Sequence, residues 1–467
     1  MAARFVIVDH ATPLLLPPDM RDWVPEDHMV NFIMDAVRLL KLDEARVNHR
    51  GTGSEQYPPS MMLGLLIYCY ATGTFSSRKI ERLTYDSVAV RYLCADTHPD
   101  HASICKFRCD NEALLNSSFN QVLECAARAK VFKVGDITLA ADGTKILANA
   151  SKHSAVSHGH AVEQMKLLSD EVDELLKKAA QADSTPLQDG LSVPGEVKRR
   201  TDRIAKIQEA VSVMEERAGE RFKQEKAEHD AKMEARASKE AATGKKAAGR
   251  APKPPQEGPR GDDQFNFTDP ESRIMKAGGG GHFEQSYNAQ AAVDIESRLI
   301  VAHALTDAPN DKQQLEPTLR ALSPVVESVG RVLVDSGFYS EQAVRDVEQG
   351  AGQAALKGVQ VLAATKRQRH GRSVAELEQR DDPPAPPADA SMSDVMAHRL
   401  ETKTGKELYA QRKQTIEPVF GIIKSAMGFR QFSLRGKAKA RLEWTLVTLG
   451  YNLKRLFHMG VQLTPVK

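Results

Sequence analysis

Three acidic residues stand where their surroundings make them costly. Asp142 follows the apolar run ITLAA, Asp335 follows RVLV, and Glu417 is the lone carboxylate in YAQRKQTIEPVFGIIK, among Arg412, Lys413 and Lys424. Carboxylates brought together raise one another's pKa and cost stability unless a cation neutralises them. A pair of magnesium ions roughly 3.5–4 Å apart is the natural solution, and such a pair serves the attacking and leaving oxygens of a phosphodiester. Taken singly, an Asp at a strand end is better explained by a turn or a helix cap. His98, His101, Cys105 and Cys109 are close enough in sequence for zinc, but Cys105 and Cys109 at i and i+4 suit a buried helix face, and the paired-cysteine knuckle is missing.

The elements that must carry these acids follow from periodicity. From Asp27 to about Lys130 apolar residues recur at helical spacing, as in HMVNFIMDAVRLLKL and PSMMLGLLIYCYA. FSSRKIERLTYD and THPDHASICKFRCDN predict two short helices, the second capped by Asp100 and carrying Lys106 and Arg108. Such a pair fits a DNA-reading helix-turn-helix, but the residues alone favour a core pair with a solvated basic face. The pattern then changes to strands: DITLAADGTKILANAS, YNAQAAVDIESRLIVAHALTD, GRVLVDSGFYS and VQVLAATK, with helices between the later ones. That order predicts an α/β sheet mixing antiparallel and parallel pairs.

Between the first two strands lies a charged insertion, 159–281. Met165, Leu168, Val172 and Leu175, then Ile204, Ile207, Val211 and Met214, repeat at coiled-coil spacing and predict a helical hairpin. It ends in TGKKAAGRAPKPPQEGPRGDD, which cannot bury a core and reads as disordered or linker, as does a flexible loop at 370–400. AGGGG at 277–281 is a hinge and not a phosphate loop, for it lacks the Lys-Ser/Thr partner.

Composition sets the class. A chain of 467 residues, 41% hydrophobic and 27% charged with net charge +2, predicts two or three globular units, and the small net charge says little about partners. Five cysteines without CxxC predict reduced, cytoplasmic usage. The start, MAARFVIVDHATPLLLPP, has no signal-peptide core, and the longest apolar run falls short of the roughly 20 residues of a membrane span.

DGTKILANAS, YNAQAAVD, TDAPNDKQQLEP, VDSGFYSE, VLAATKR and YAQRKQTIEPVFGIIKSAMGFRQFSLRGKAKARLEWTLVTLGYNLKRL together resemble, in order, the DDE transposases of bacterial insertion sequences. The resemblance implies an RNase H-like mixed five-stranded sheet with flanking helices, split as 135–158 and 282–460. It also implies an all-α domain at 27–134 that binds transposon ends, behind an arm at 1–26. Asp142, Asp335 and Glu417 map to the three catalytic and metal-holding acids, serving two Mg2+ ions or Mn2+ in their place. Tyr409, Arg412, Glu417 and Lys424 match the Tyr-Arg-Glu-Lys signature, with one residue more between Arg412 and Glu417 than is usual. At about 100° per residue, Tyr409, Glu417, Phe420 and Lys424 fall within about 80° of one another, with Arg412 about 60° beyond Tyr409. Pro418 predicts a kink there, or a fresh helix starting at it.

Charge assigns the remaining roles. Lys424 and Arg412 would grip phosphates, Tyr409 would bond or stack near the backbone or serve the core, and Arg430, Arg435 and Lys437 form either a DNA track or a solvated helix face. The implied partner is double-stranded DNA, both transposon ends and target, with a homodimer assembled on it, and neither a membrane nor a small-molecule substrate. A metal-dependent nuclease without joining, and a non-catalytic decayed transposase, are the alternatives. Hairpin formation stays open: neither Trp23 nor Trp444 lies between the second and third acids, where Phe338 or Tyr339 would have to substitute.

Overall fold

The computed structural model describes residues 19–48, 55–182, 193–244, 250–276, 282–365, 382–387 and 390–463. Six helices come first: α1 (Met29–Leu39), α2 (Pro59–Ala71), α3 (Ser77–Asp86), α4 (Val88–Leu93), α5 (His101–Asp110) and α6 (Glu112–Arg128). α2 starts with Pro59, whose missing N–H costs nothing at that position, and is buried on every side from Met62 to Ala71. Asp100 caps α5, accepting from the backbone N–H groups of Ala102 and Ser103 at 2.8 and 2.9 Å.

β1 (Ile137–Leu147) follows, then β2 (Ala155–Ser157), α7 (His158–Ala182), α8 (Val193–Thr243), β3 (Gln264–Asn266), β4 (Arg273–Lys276), β5 (Phe283–Asp294), β6 (Ile300–Thr306), α9 (Leu315–Arg320), β7 (Val329–Val334), α10 (Glu341–Glu348) and β8 (Gln360–Ala363). The chain closes with α11 (Met392–Glu401), α12 (Lys403–Gly421), a π turn at Ile422–Ala426 and α13 (Lys437–His458). The flexible loop expected at 370–400 thus ends in helix α11; its earlier part, like AGGGG at 277–281, lies mostly or wholly outside the described residues.

Two compact units divide the chain, 1–147 with 287–467, and 148–286. In the first, β5 and β6 pair antiparallel while β1, β7 and β8 pair in parallel, giving the mixed sheet that the strand order implied. β4 pairs antiparallel with the first residues of β5, Arg273 opposite Ser286, all within 148–286. The parallel strands are apolar on both faces, as strands covered on both sides must be: Val332, Leu333, Val334, Val361 and Ala363 are fully buried. α13 closes this core. Its Asn452 bonds both the N–H and the C=O of Ile300 on β6, at 2.9 and 2.8 Å, and its Trp444 Nε1 donates to Gln290 O at 3.1 Å. α2 and α6 pack on its other sides.

In the second unit α7 and α8 pack on each other around Leu168, Ile207, Ala210, Val211 and Met214, with Met165 and Ile204 at the edge of that cluster. Phe265 of β3 joins it, and β2 pairs with β3. No helix among the described residues is long and apolar enough to cross a membrane.

Candidate active site

The parallel register of β1 and β7 decides where the first two acids meet. Leu139 pairs with Val332 and Ala140 with Leu333, and the same register carried two residues further leads Asp142 to the level of Asp335, just past the end of β7. Neighbouring strands are about 4.8 Å apart, which brings the two carboxylates within mutual influence. Asp142 does not end its strand, as its sequence suggested; β1 continues to Leu147. Asp335 does follow the last residue of β7 and accepts from Gly337 N at 2.8 Å.

α12 packs on β1 and β7. It runs through Pro418 as one helix, Lys403–Gly421, so no fresh helix starts there; a π turn follows four residues later, at Ile422–Ala426. Thr402 caps it, accepting from Gly405 N at 3.0 Å. Two side chains tie this segment to β1: Arg412 Nη1 in the helix donates to Asp142 Oδ2 at 3.2 Å, and Lys424 Nζ in the π turn that follows donates to Lys145 O at 2.9 Å. Tyr409 adds a third tie, its hydroxyl donating to Val334 O at 3.1 Å beside Asp335.

Glu417 lies between Arg412 and Lys424. It is five residues from Arg412, about 7.5 Å along the axis and about 140° around it, and it is exposed on the helix flank while Arg412, Thr415, Ile416, Val419 and Phe420 are buried. Arg412 and Glu417, two of the four signature positions, therefore do not share one face. Among the described residues no three His, Cys, Asp or Glu side chains form a group able to hold a metal ion, His98, His101, Cys105 and Cys109 included.

Electrostatics mark Asp142. Burial, and then the charge of Asp335, push its pKa up to about 7, against the opposing pull of Arg412, and Asp311 adds to the push. The side chain of Arg412 is only 7% exposed and its Nε is a buried donor without a partner, so it orients the Asp142 carboxylate and does not reach outward for phosphate as expected. Burial lowers the pKa of Lys424, with Arg430 next in effect.

The other basic positions divide. Arg430 is exposed, its Nε on Lys424 O at 3.0 Å; Arg435 is exposed; Lys437 is half-buried and paired with Asp307 at 2.6 Å. Lys106 is exposed on α5. Arg108 is not: it is 2% exposed, donating to Tyr70 OH at 2.7 Å and Phe75 O at 3.0 Å, and so is a core cation and no DNA contact. Phe338 is fully buried.

Sequence reasoning did not nominate Asn288, Gln290 and Asp311. Asn288 and Gln290 alternate on one face of a strand that is otherwise apolar, YNAQAAVD, and both are buried, which was the available signal.

Residues 250–453 match the family described as Transposase DDE domain, and residues 18–110 match the Transposase domain (DUF772). The first segment contains Asp335 and Glu417 and begins after Asp142; the second spans α1 to α5. No curated protein and no solved structure matches the chain.

Proposed function

The chain is a DDE transposase of the insertion-sequence type, and from that premise we propose that Asp142, Asp335 and Glu417 carry phosphodiester cleavage and strand transfer at the element's terminal inverted repeats. The observation that supports this most is the register that leads Asp142 to the level of Asp335, with α12 laid along β1 so that Glu417 falls between two anchors. We take the mixed sheet with its flanking helices as RNase H-like.

The donors suit a hard divalent cation. All are oxygens, and a buried carboxylate with its pKa raised to about 7 marks negative charge that this fold alone leaves poorly compensated. When bound, a pair of Mg2+ ions, or Mn2+, would neutralise charge on the attacking and leaving oxygens of the phosphodiester. The chain's own part is to hold the carboxylates ionised and oriented. Arg412 fixes Asp142, Tyr409 fixes the end of β7 beside Asp335, and Lys424, in the π turn, holds the end of α12 that carries Glu417. Arg430, Arg435 and Lys106 offer positive charge to the DNA backbone, and the helices of 27–134 bind the ends. Two ends must be held at once, so a dimer assembled on DNA is the working state.

Glu417 on the exposed flank favours one rival, a DNA-binding protein without catalysis. Duplexes carrying the repeats that bracket the coding region test both, in Mg2+, with wild type and Glu417→Gln. Cleavage by wild type that the variant loses, with end binding retained, is expected; cleavage surviving in Glu417→Gln overturns the assignment of Glu417, and none in wild type selects the rival. Pre-cut ends offered with target DNA separate joining from simple nuclease action.

A further inference from the structure

Asn288 and Gln290 are 1% and 0% exposed, and both give an amide N–H to one oxygen of Asp311, each at 2.7 Å. Asn288 Nδ2 also donates to Ala308 O at 3.2 Å. With the nitrogens committed, the two carbonyl oxygens are left as buried acceptors without a partner. An unmet buried acceptor costs about 1–3 kcal/mol, so two on one strand face call for a ligand. Their place is given by Gly143, next to Asp142: a Cβ there would lie 2.8 Å from Asn288 Oδ1 and would collide with Asp311 Oδ1 and Gln290 Nε2. The absence of a side chain at 143 is therefore what lets this cluster close on the backbone beside Asp142. The charges of two carboxylates, Asp335 and Asp311, both act on Asp142, against the single guanidinium of Arg412.

We propose that Asp311 is a fourth carboxylate of the active centre, and that Asp311, Asp142 and the orphan amide oxygen of Asn288 together hold a divalent cation on the β5 side of Asp142. Gln290 orients Asp311 by the bond described. The donor set is all oxygen and mixes carboxylate with amide carbonyl, which selects a hard cation such as Mg2+ or Mn2+ over zinc. The inference rests on Asp142 being a catalytic acid.

The experiment measures Mn2+ binding to the full-length protein without DNA, by loss of the free-ion electron paramagnetic resonance signal, alongside thermal melting. Asp311→Asn should bind Mn2+ about tenfold more weakly than wild type, the cost typical of losing a group that supports a metal. Asn288→Asp places a charge where the orphan oxygen stands, and should bind Mn2+ about tenfold more tightly, because ligand charge sets affinity at such sites. If Asp311→Asn folds and binds as wild type does, the proposal falls. Should Asp311→Asn not fold, Asn288→Asp decides alone: tighter binding supports the proposal, and unchanged or weaker binding overturns it. Asp142→Asn distinguishes this from the reading beneath it. Binding lost there but kept in Asp311→Asn removes only the fourth carboxylate; binding kept in both removes Asp142 as a metal ligand as well.

Discussion

Replacing Arg108 by methionine asks whether this cation serves the core or DNA. Its guanidinium donates to Tyr70 OH, Phe75 O and Ser77 Oγ at 2.7, 3.0 and 3.3 Å, and lies 3.9 Å from Glu443 Oε1. Glu443 is fully buried, accepts from Ser433 N and Leu434 N at 2.8 and 3.0 Å, and has its pKa raised by burial. Methionine fills much of the space of the arginine stem but leaves that carboxylate with no opposing charge. Removing one side of a buried pair costs about 3–5 kcal/mol. Adding Glu443→Gln keeps an acceptor for the two backbone N–H groups and removes the stranded charge, so the double variant should recover about 2 kcal/mol of the loss. Urea unfolding followed through the buried Trp444 measures both. DNA binding supplies the other arm: because Arg108 neutralises no phosphate, the slope of log affinity against log salt should not change. A loss under about 1 kcal/mol, together with a slope shallower by about one unit, would refute the inward reading and return Arg108 to the DNA surface.

Two further outcomes follow from the site. Asp142, with its folded pKa raised from 3.8 to about 7, binds a proton in the native state that the unfolded chain releases, so its ionisation penalty is absent below pH 3.8, grows up to about 7 and is complete above that. Wild type should therefore lose stability relative to Asp142→Asn by about 2–3 kcal/mol between pH 5 and pH 8.5, in metal-free buffer, at roughly 1.4 kcal/mol per pH unit within the window; a difference that does not vary with pH contradicts the burial argument. Gly405→Ala should lower the melting temperature, since its Cβ would collide with Arg399 O at the corner between α11 and α12, costing about 1–3 kcal/mol. Gly421→Ala, with nothing within 4 Å of its Cβ, should be neutral or stabilising by about 0.5–1 kcal/mol, and equal effects of the two would sink the steric account.

The sheet was legible because its strands are encoded twice, by β-branched runs such as RVLV and by the acids that follow or interrupt them. An acid after ITLAA suggests a strand end, yet β1 runs on past Asp142 to Leu147, with Gly143, Thr144 and Lys145 extended. Lys106 and Arg108 carry the same charge on the same helix, and only tertiary packing separates them. Even so, Ile104 is buried four residues before Arg108, on the same face, and that spacing was a usable warning. In α12 the signature spacing marked the right helix, but a wheel centred on Arg412 already sets Glu417 about 140° away. Burial of Arg412 fixed which side faces β1, and no single-sequence argument decides that. Asn288, Gln290 and Asp311 were hidden by distance in the chain: their meaning depends on Gly143, and nothing in the sequence announces that β5 lies beside β1.

The pairing of Ile137 with Val329, 192 residues later in the chain, also sets a timetable for synthesis. At about 5–20 residues per second a ribosome takes about 10–40 s to bring β7 out after β1. During that interval the β7-side edge of β1 has no permanent neighbour, while the helices of 148–286, whose contacts are local, emerge and can close on their own. The strand that bears the first acid is thus among the earliest made, and its pairing with β7 spans more chain than any other pairing of the sheet. Slower growth at low temperature, or a chaperone that holds extended apolar segments, should raise soluble yield more than any change to the finished sheet.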